Sequence, residues 1–186
     1  MSGRYAAVDV HYPTSGGAHA AAVVAPDERF ASIVDEQVRW LPEVAPYEPG
    51  RFFARELPAV RAVLADLGDL ALVVIDGYVD LDETGRPGLG AHLHAEIQVP
   101  VVGVAKTAFH GATHAIPVLR GEATRPLYVT AAGLSPASAA TLVAAMAGPH
   151  RLPDALRRVD TLARAVTQST LTVGCSRNCP ERRPST

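Results

Sequence analysis

At 186 residues with 48% hydrophobic content, the chain can bury one core of ordinary size and is too short for two independent domains. A formal net charge of −2 and a pI near 6.4 exclude an overall basic field. Extended non-specific duplex binding is therefore disfavoured, and any nucleic-acid contact must come from a local arginine face.

In chain order, residues 4–11 (RYAAVDVH) and 19–25 (HAAAVVA) are short apolar runs split by Pro13-Thr14-Ser15-Gly16-Gly17, which predicts two strands joined by a loop. A third strand is expected within Phe30 to Trp40, after the turn-like Pro26-Asp27, giving an antiparallel meander. Beyond the Pro- and Gly-bearing stretch 42–50, Val60, Val63, Leu64 and Leu67 recur at helical spacing, with Pro58 expected in the first turn and Glu56 just ahead of the helix. Leu70 to Ile75 is a continuous apolar run ending in Asp76-Gly77, as for a strand buried on both faces. A helix near Leu89 to Gln98 and a second buried strand, Val101 to Ala105, repeat the pattern. Further helices are expected from about Ser135 to Ala147 and Pro153 to Val166. The result is an α/β mixed sheet, with three antiparallel strands followed by parallel β-α-β units and helices flanking it.

One domain is expected over residues 1–173, with 174–186 a disordered tail. That tail holds the only cysteines, Cys175 and Cys179, which could at best supply half of a structural zinc site. No apolar run approaches the roughly 20 residues that span a bilayer, and residues 1–12 enter a strand pattern without the charged and apolar regions of a leader. A cytoplasmic protein with no membrane partner is expected. Of the 17 basic residues, 16 are Arg and only Lys106 is Lys.

Asp9 interrupts the apolar run Ala6 to Val10, and a carboxylate in a central strand is costly unless it is paired, solvated or bound to a cation. Asp76 ends a parallel strand, where open α/β sheets place ligands. With Glu56 they would form an oxygen cage suited to Mg²⁺ or Mn²⁺. On spacing alone another reading stays open: Asp9 at an exposed strand edge, Asp76 opening a turn, and Glu56 favouring a helix N-terminus through the macrodipole. His92 and His94 are two apart on a helix and point in different directions. His11, His19, His110 and His114 lack the spacing of a zinc set.

Several motifs, in order, resemble endonuclease V. Ala7-Val8-Asp9-Val10 resembles that family's first strand with its metal-binding aspartate. Pro46-Tyr47-Glu48-Pro49-Gly50-Arg51-Phe52-Phe53-Ala54-Arg55-Glu56 resembles its Pro-Tyr-x-Pro-Gly-Phe-x-x-Phe-Arg-Glu segment, which supplies a strand-separating wedge and a catalytic glutamate. Val74-Ile75-Asp76-Gly77 resembles the second strand aspartate, Gly88 to Leu93 the helix start that follows it, and Pro100 to Lys106 the Pro-Thr-Ile-Gly-Val-Ala-Lys strand. Arg151-Leu152-Pro153 followed by Asp160 is similar to a late element that ends in Asp or His.

The resemblance implies an RNase H-like fold and a metal-dependent endonuclease acting on DNA or RNA, by preference near a deaminated purine such as inosine. It places Asp9, Glu56, Asp76 and Lys106 in catalysis, and Asp9, Glu56, Asp76 and an outer Asp160 around Mg (or Mn). Tyr47, Pro46, Pro49, Arg51 and Arg55 would meet the nucleic acid. The chain departs from the family in several places, among them a shorter segment after Lys106 and Glu48 in a usually apolar position of the wedge. Gly77 to Pro87 carries Asp80, Asp82 and Glu83 where the family has histidine and basic residues, and Ala132-Gly133-Leu134-Ser135 lacks the basic residue of the Gly-His-Arg-x-Ser element. Two other functions stay open: a member that binds nucleic acid without cutting it, and a metal-dependent hydrolase of a smaller phosphate ester.

Overall fold

The first two apolar runs form β1 (Arg4–His11) and β2 (Ala18–Ala25), and the chain returns as β3 (Asp35–Leu41) in the computed structural model, which describes residues 3–48 and 51–169. Pro49, the cysteines and the expected disordered tail lie outside the described residues. The third strand starts later than its apolar run implies. Phe30 adopts a positive φ of 52° at the end of a turn from Asp27, which drops its ring into the core and keeps 30–34 out of the sheet.

The chain then supplies α1 (Phe52–Leu64), β4 (Leu70–Asp76), α2 (Leu89–Ile97) and β5 (Val101–Ala105). Helix α1 begins earlier than its apolar spacing predicts. Pro58 therefore stands inside the helix and not in its first turn, leaving the Ala54 carbonyl without its usual N–H partner. Glu56 likewise lies within the helix and is one of its buried residues, so an N-terminal macrodipole role does not describe it.

Two strands beyond those read in order from the apolar runs, β6 (Ile116–Val118) and β7 (Leu127–Ala132), precede α3 (Pro136–Ala145) and α4 (Asp154–Ser169). The sheet order is β3-β2-β1-β4-β5-β7-β6. β1, β4 and β5 run parallel, while β2, β3 and β7 pair antiparallel to their neighbours. The expected mixed sheet is present, extended by the β7-β6 hairpin.

Each face of the sheet has its own core. Ala6, Val8, Val73 and Ile75 pack with Val60, Val63 and Leu93 of α1 and α2. Ala7, Val74, Val102 and Val129 pack with Leu142, Leu156 and Val159 of α3 and α4. β2 is buried throughout and its alanines leave room for a helix on each side. A bidentate pair from Arg158 to Glu36, at 2.7 and 2.8 Å, ties α4 to β3.

Candidate active site

Asp9 leaves the α4 face of β1 near the end of its pairing with β4, and β1 lies between β2 and β4, so the exposed-edge reading does not hold. Asp76 closes β4 one strand over. Glu56 comes from α1 on the other face and turns toward the sheet end. The three carboxylates line one small recess with Val8, Val60, Ile75 and Leu89.

Burial, the Asp76 charge and the more distant Asp160 push Asp9 up to about 7, against a 2.8 Å hydrogen bond from the Val10 amide. Burial and the charges of Asp9 and Asp76 push Glu56 up to about 8. These acids resist ionising together, because each charge sits in low dielectric beside another.

Among the described residues, no three acidic, histidine or cysteine side chains close into a ready-made metal cage. Asp76 turns one oxygen to Lys106, whose Nζ donates at 2.5 Å. The donor set nevertheless fits a hard divalent cation. It is carboxylate oxygen throughout, on strand ends and a helix, with two acids whose pKa is raised first by burial and then by the charge of neighbouring carboxylates. Asp160 stands further out, paired with Arg164 at 2.9 Å, and its charge is felt by both Asp9 and Lys106.

Lys106 follows β5. Burial opposes its charge, but the hydrogen bond and charge of Asp76 outweigh that and raise its pKa. Its backbone is fixed by Arg151, whose guanidinium donates to the Lys106 carbonyl and, at 2.8 Å, to that of Pro126. The Arg-Leu-Pro element thus positions Lys106, a role its sequence does not disclose.

Glu56 and Asp76 also border a second, larger cavity of about 300 Å³. Its wall includes Tyr47, Phe52, Phe53, Tyr78 and Phe109, five of the chain's ten Phe, Tyr and Trp residues. Phe53 stacks on His92 at 3.7 Å, whereas His94 turns away to the Val99 carbonyl. The Tyr78 hydroxyl donates to the Thr107 carbonyl at 2.7 Å and accepts from the Phe109 amide at 3.0 Å. Sequence reading singled out only Tyr47 on this wall. The usable signal is the concentration of scarce aromatics in the segments that flank Glu56, Asp76 and Lys106 in sequence.

Tyr47 is 60% exposed, edge-on to Phe52 at 6.1 Å. Pro46 precedes it in an irregular segment. Arg51 is held by Glu48 at 3.2 Å. Arg55 lies over the Tyr12 ring at 4.0 Å, where its charge also lowers the pKa of Glu56. In the acid-bearing loop, Asp82 pairs with Arg86, on the cavity wall, at 3.3 Å.

A family model for endonuclease V matches residues 3–161. The chain belongs to the endonuclease V family. Among its relatives is an endonuclease V of Azotobacter vinelandii, 36% identical over 183 residues that cover 87% of this chain and 82% of the relative. The crystal structure of the Streptomyces avermitilis endonuclease V superposes with a TM-score of 0.76 at 30% identity, covering 92% of this chain and 84% of that one. A Ciona intestinalis endonuclease V, solved with a 23mer DNA containing an inosine followed by a ribo-adenosine, shares the fold at a TM-score of 0.73 and 18% identity, over 90% of this chain and 86% of that one. The fold of this endonuclease V member is RNase H-like, as those structures are. No helix among the described residues is long and apolar enough to cross a membrane.

Proposed function

We propose that the protein is a metal-dependent endonuclease that hydrolyses a phosphodiester of DNA or RNA beside a deaminated base, inosine foremost. One observation carries this reading: the recess holding Asp9, Glu56 and Asp76 shares Glu56 and Asp76 with an aromatic cavity of about 300 Å³. A base held in that cavity lies beside the group of acids that cuts its strand. The inosine-containing DNA of the Ciona relative supports that choice of base.

Asp9, Glu56 and Asp76 would hold Mg²⁺ or Mn²⁺, with Asp160 as an outer carboxylate. Such an ion, when bound, supplies Lewis-acid polarisation of the phosphate and an acidified water. Asp76 keeps the Lys106 ammonium at the site, a compact charge able to meet the phosphate or the leaving oxygen. Glu56 would stay ionised beside a bound cation, which offsets the burial and the charges of Asp9 and Asp76 that raise its pKa in the free site. Tyr47 presses against the stack beside the target base, stiffened by Pro46 and Pro49. Arg51 and Arg55 flank it as phosphate contacts, Arg51 by exchanging Glu48 for a phosphate oxygen. The aromatic wall receives the exposed base. We place this activity in the cytoplasm, in the repair of deaminated nucleic acid.

The test is cleavage of matched DNA and RNA oligonucleotides, with and without one inosine, in Mg²⁺ or Mn²⁺, beside Asp76→Asn. Metal-dependent cuts near inosine that vanish in the variant are expected. Tight binding with no cut in any strand would instead identify a binding protein, a reading favoured by the acids Asp80, Asp82 and Glu83.

A further inference from the structure

The sheet face that carries Asp9 continues outward through three rings that the chemistry above does not use. His11 lies two residues beyond Asp9 on β1 and so on the same face. It pairs across the sheet with His19 on β2, and His19 with Trp40 on β3. Directly opposed residues share a face, so the three side chains form a row at the sheet end where Asp9 sits.

The outermost ring is held in place, yet half in solvent. His19 is buried, with its ring 4.4 Å from that of Trp40 at 37°. Behind the indole is Gly17, where a Cβ would come within 2.1 Å of a Trp40 ring carbon. Only glycine leaves room for the indole to lie against the β1–β2 loop. With the ring so fixed, Trp40 still keeps 49% of its surface exposed.

We propose that Trp40, backed by His19 and Gly17, is a stacking platform for a nucleobase of the substrate strand; this rests on the nuclease reading above. A protein partner would call for a broad apolar patch, whereas this is one planar ring beside imidazoles. Any base can stack on such a ring whatever its sequence. Two strand spacings across and two residues along place Trp40 about 12 Å from Asp9. That is the span of roughly three or four nucleotides stacked at about 3.4 Å. Trp40 is also seven residues before Tyr47, so the two exposed rings bracket the segment that leads into α1.

Trp40 is the chain's only tryptophan, so its emission reports on this surface alone. The experiment titrates an inosine-containing single strand into full-length Asp76→Asn protein, following tryptophan emission and the anisotropy of the labelled strand together. Quenching that tracks binding is expected. In the active protein, Trp40→Ala should raise KM roughly five- to a hundredfold, with the effect on KM and not kcat, and Trp40→Phe should restore most of it. Deleting the base three or four nucleotides from the cut phosphodiester should mimic Trp40→Ala and add nothing to it.

A strand that is bound and cut while emission stays constant, and whose KM ignores both Trp40→Ala and base deletion, overturns the platform and leaves the nuclease assignment standing. Absence of binding and cutting in the unmodified protein overturns both. If Trp40→Ala does not fold, the emission change, Trp40→Phe and the base deletion decide the matter.

Discussion

Lys106 Nζ donates to Asp76 Oδ2 at 2.5 Å, joining the only lysine of the chain to an acid that borders both the carboxylate recess and the aromatic cavity. The pair is partly solvated, so it adds little to stability, on the order of 0–1 kcal/mol. Its value is positional. Lys106→Ala is expected to lower single-turnover cleavage roughly a hundredfold or more, as loss of a charge-stabilising donor does, while leaving the melting temperature nearly unchanged. Lys106→Arg should not restore the rate, because a planar fork does not replace a compact ammonium. Wild-type cleavage by Lys106→Ala would remove the residue from the mechanism.

Asp9 and Glu56, raised to about 7 and about 8, bind protons more tightly folded than unfolded. Stability in chelator should therefore rise as pH falls through those values and level off near the ordinary carboxylate range, around 4. Put the other way, the folded state weakens as pH climbs through about 7 and 8. Glu56→Gln removes one of these charges and should stabilise the metal-free protein at alkaline pH by roughly 1–3 kcal/mol, while abolishing cleavage. Added Mg²⁺ should raise the wild-type melting temperature there and not that of the variant. Thermal melts between about pH 6 and 9 check this; identical profiles for the two proteins would sink it.

The strands and their order were largely legible, because β1, β2, β4 and β5 are apolar runs bounded by Pro, Gly and Asp. β6 and β7 were harder to read: Ile116-Pro117-Val118 is three residues with a proline at the sheet edge, and Leu127–Ala132 mixes Tyr, Thr and Ala with no long apolar run. The spacing of Val60, Val63, Leu64 and Leu67 marks only the turns of α1 that face the core, so periodicity does not disclose that the helix begins at Phe52 and includes Glu56. At the site, Asp9 and Asp76 stand out as carboxylates within or ending apolar strands, but spacing alone leaves a structural role open for both and for Glu56; the ordered motifs resembling endonuclease V are what single out the three acids. The backbone anchoring of Lys106 by Arg151 was not legible, since it depends on carbonyls 45 and 25 positions away.

Eight of the thirteen arginines among the described residues already face a carboxylate. Few are therefore free to displace counterions from a phosphate backbone. A plot of log KM against log salt is expected to be shallow, with a slope of about 3 or less, matching roughly four phosphates on a single strand. Glu48→Gln removes the carboxylate that Arg51 must leave on binding, and should lower KM severalfold at low salt with little change of slope. A wild-type slope near 6 would mean that the ion pairs open on binding and that the substrate footprint is much larger.

Gly103 on β5 lies beneath the turn that follows Asp76. A Cβ there would stand 2.6 Å from the Gly77 carbonyl, 2.8 Å from Thr130 Oγ1 and 2.9 Å from the Val79 amide. The Val79 amide donates to Thr130 Oγ1 at 2.8 Å, and the Gly77 amide to the Val104 carbonyl, so backbone must move to admit the methyl. Gly103→Ala is expected to cost about 1–3 kcal/mol of stability and, by displacing Asp76 relative to Glu56, to lower cleavage more than tenfold. Thr130→Val strands the buried Val79 amide at a similar cost, roughly 1–3 kcal/mol, without forcing the turn outward, and should spare more activity. Denaturant titration beside single-turnover cleavage separates the two effects. Equal loss of activity in variants of equal stability would show that the turn's position does not matter to the chemistry.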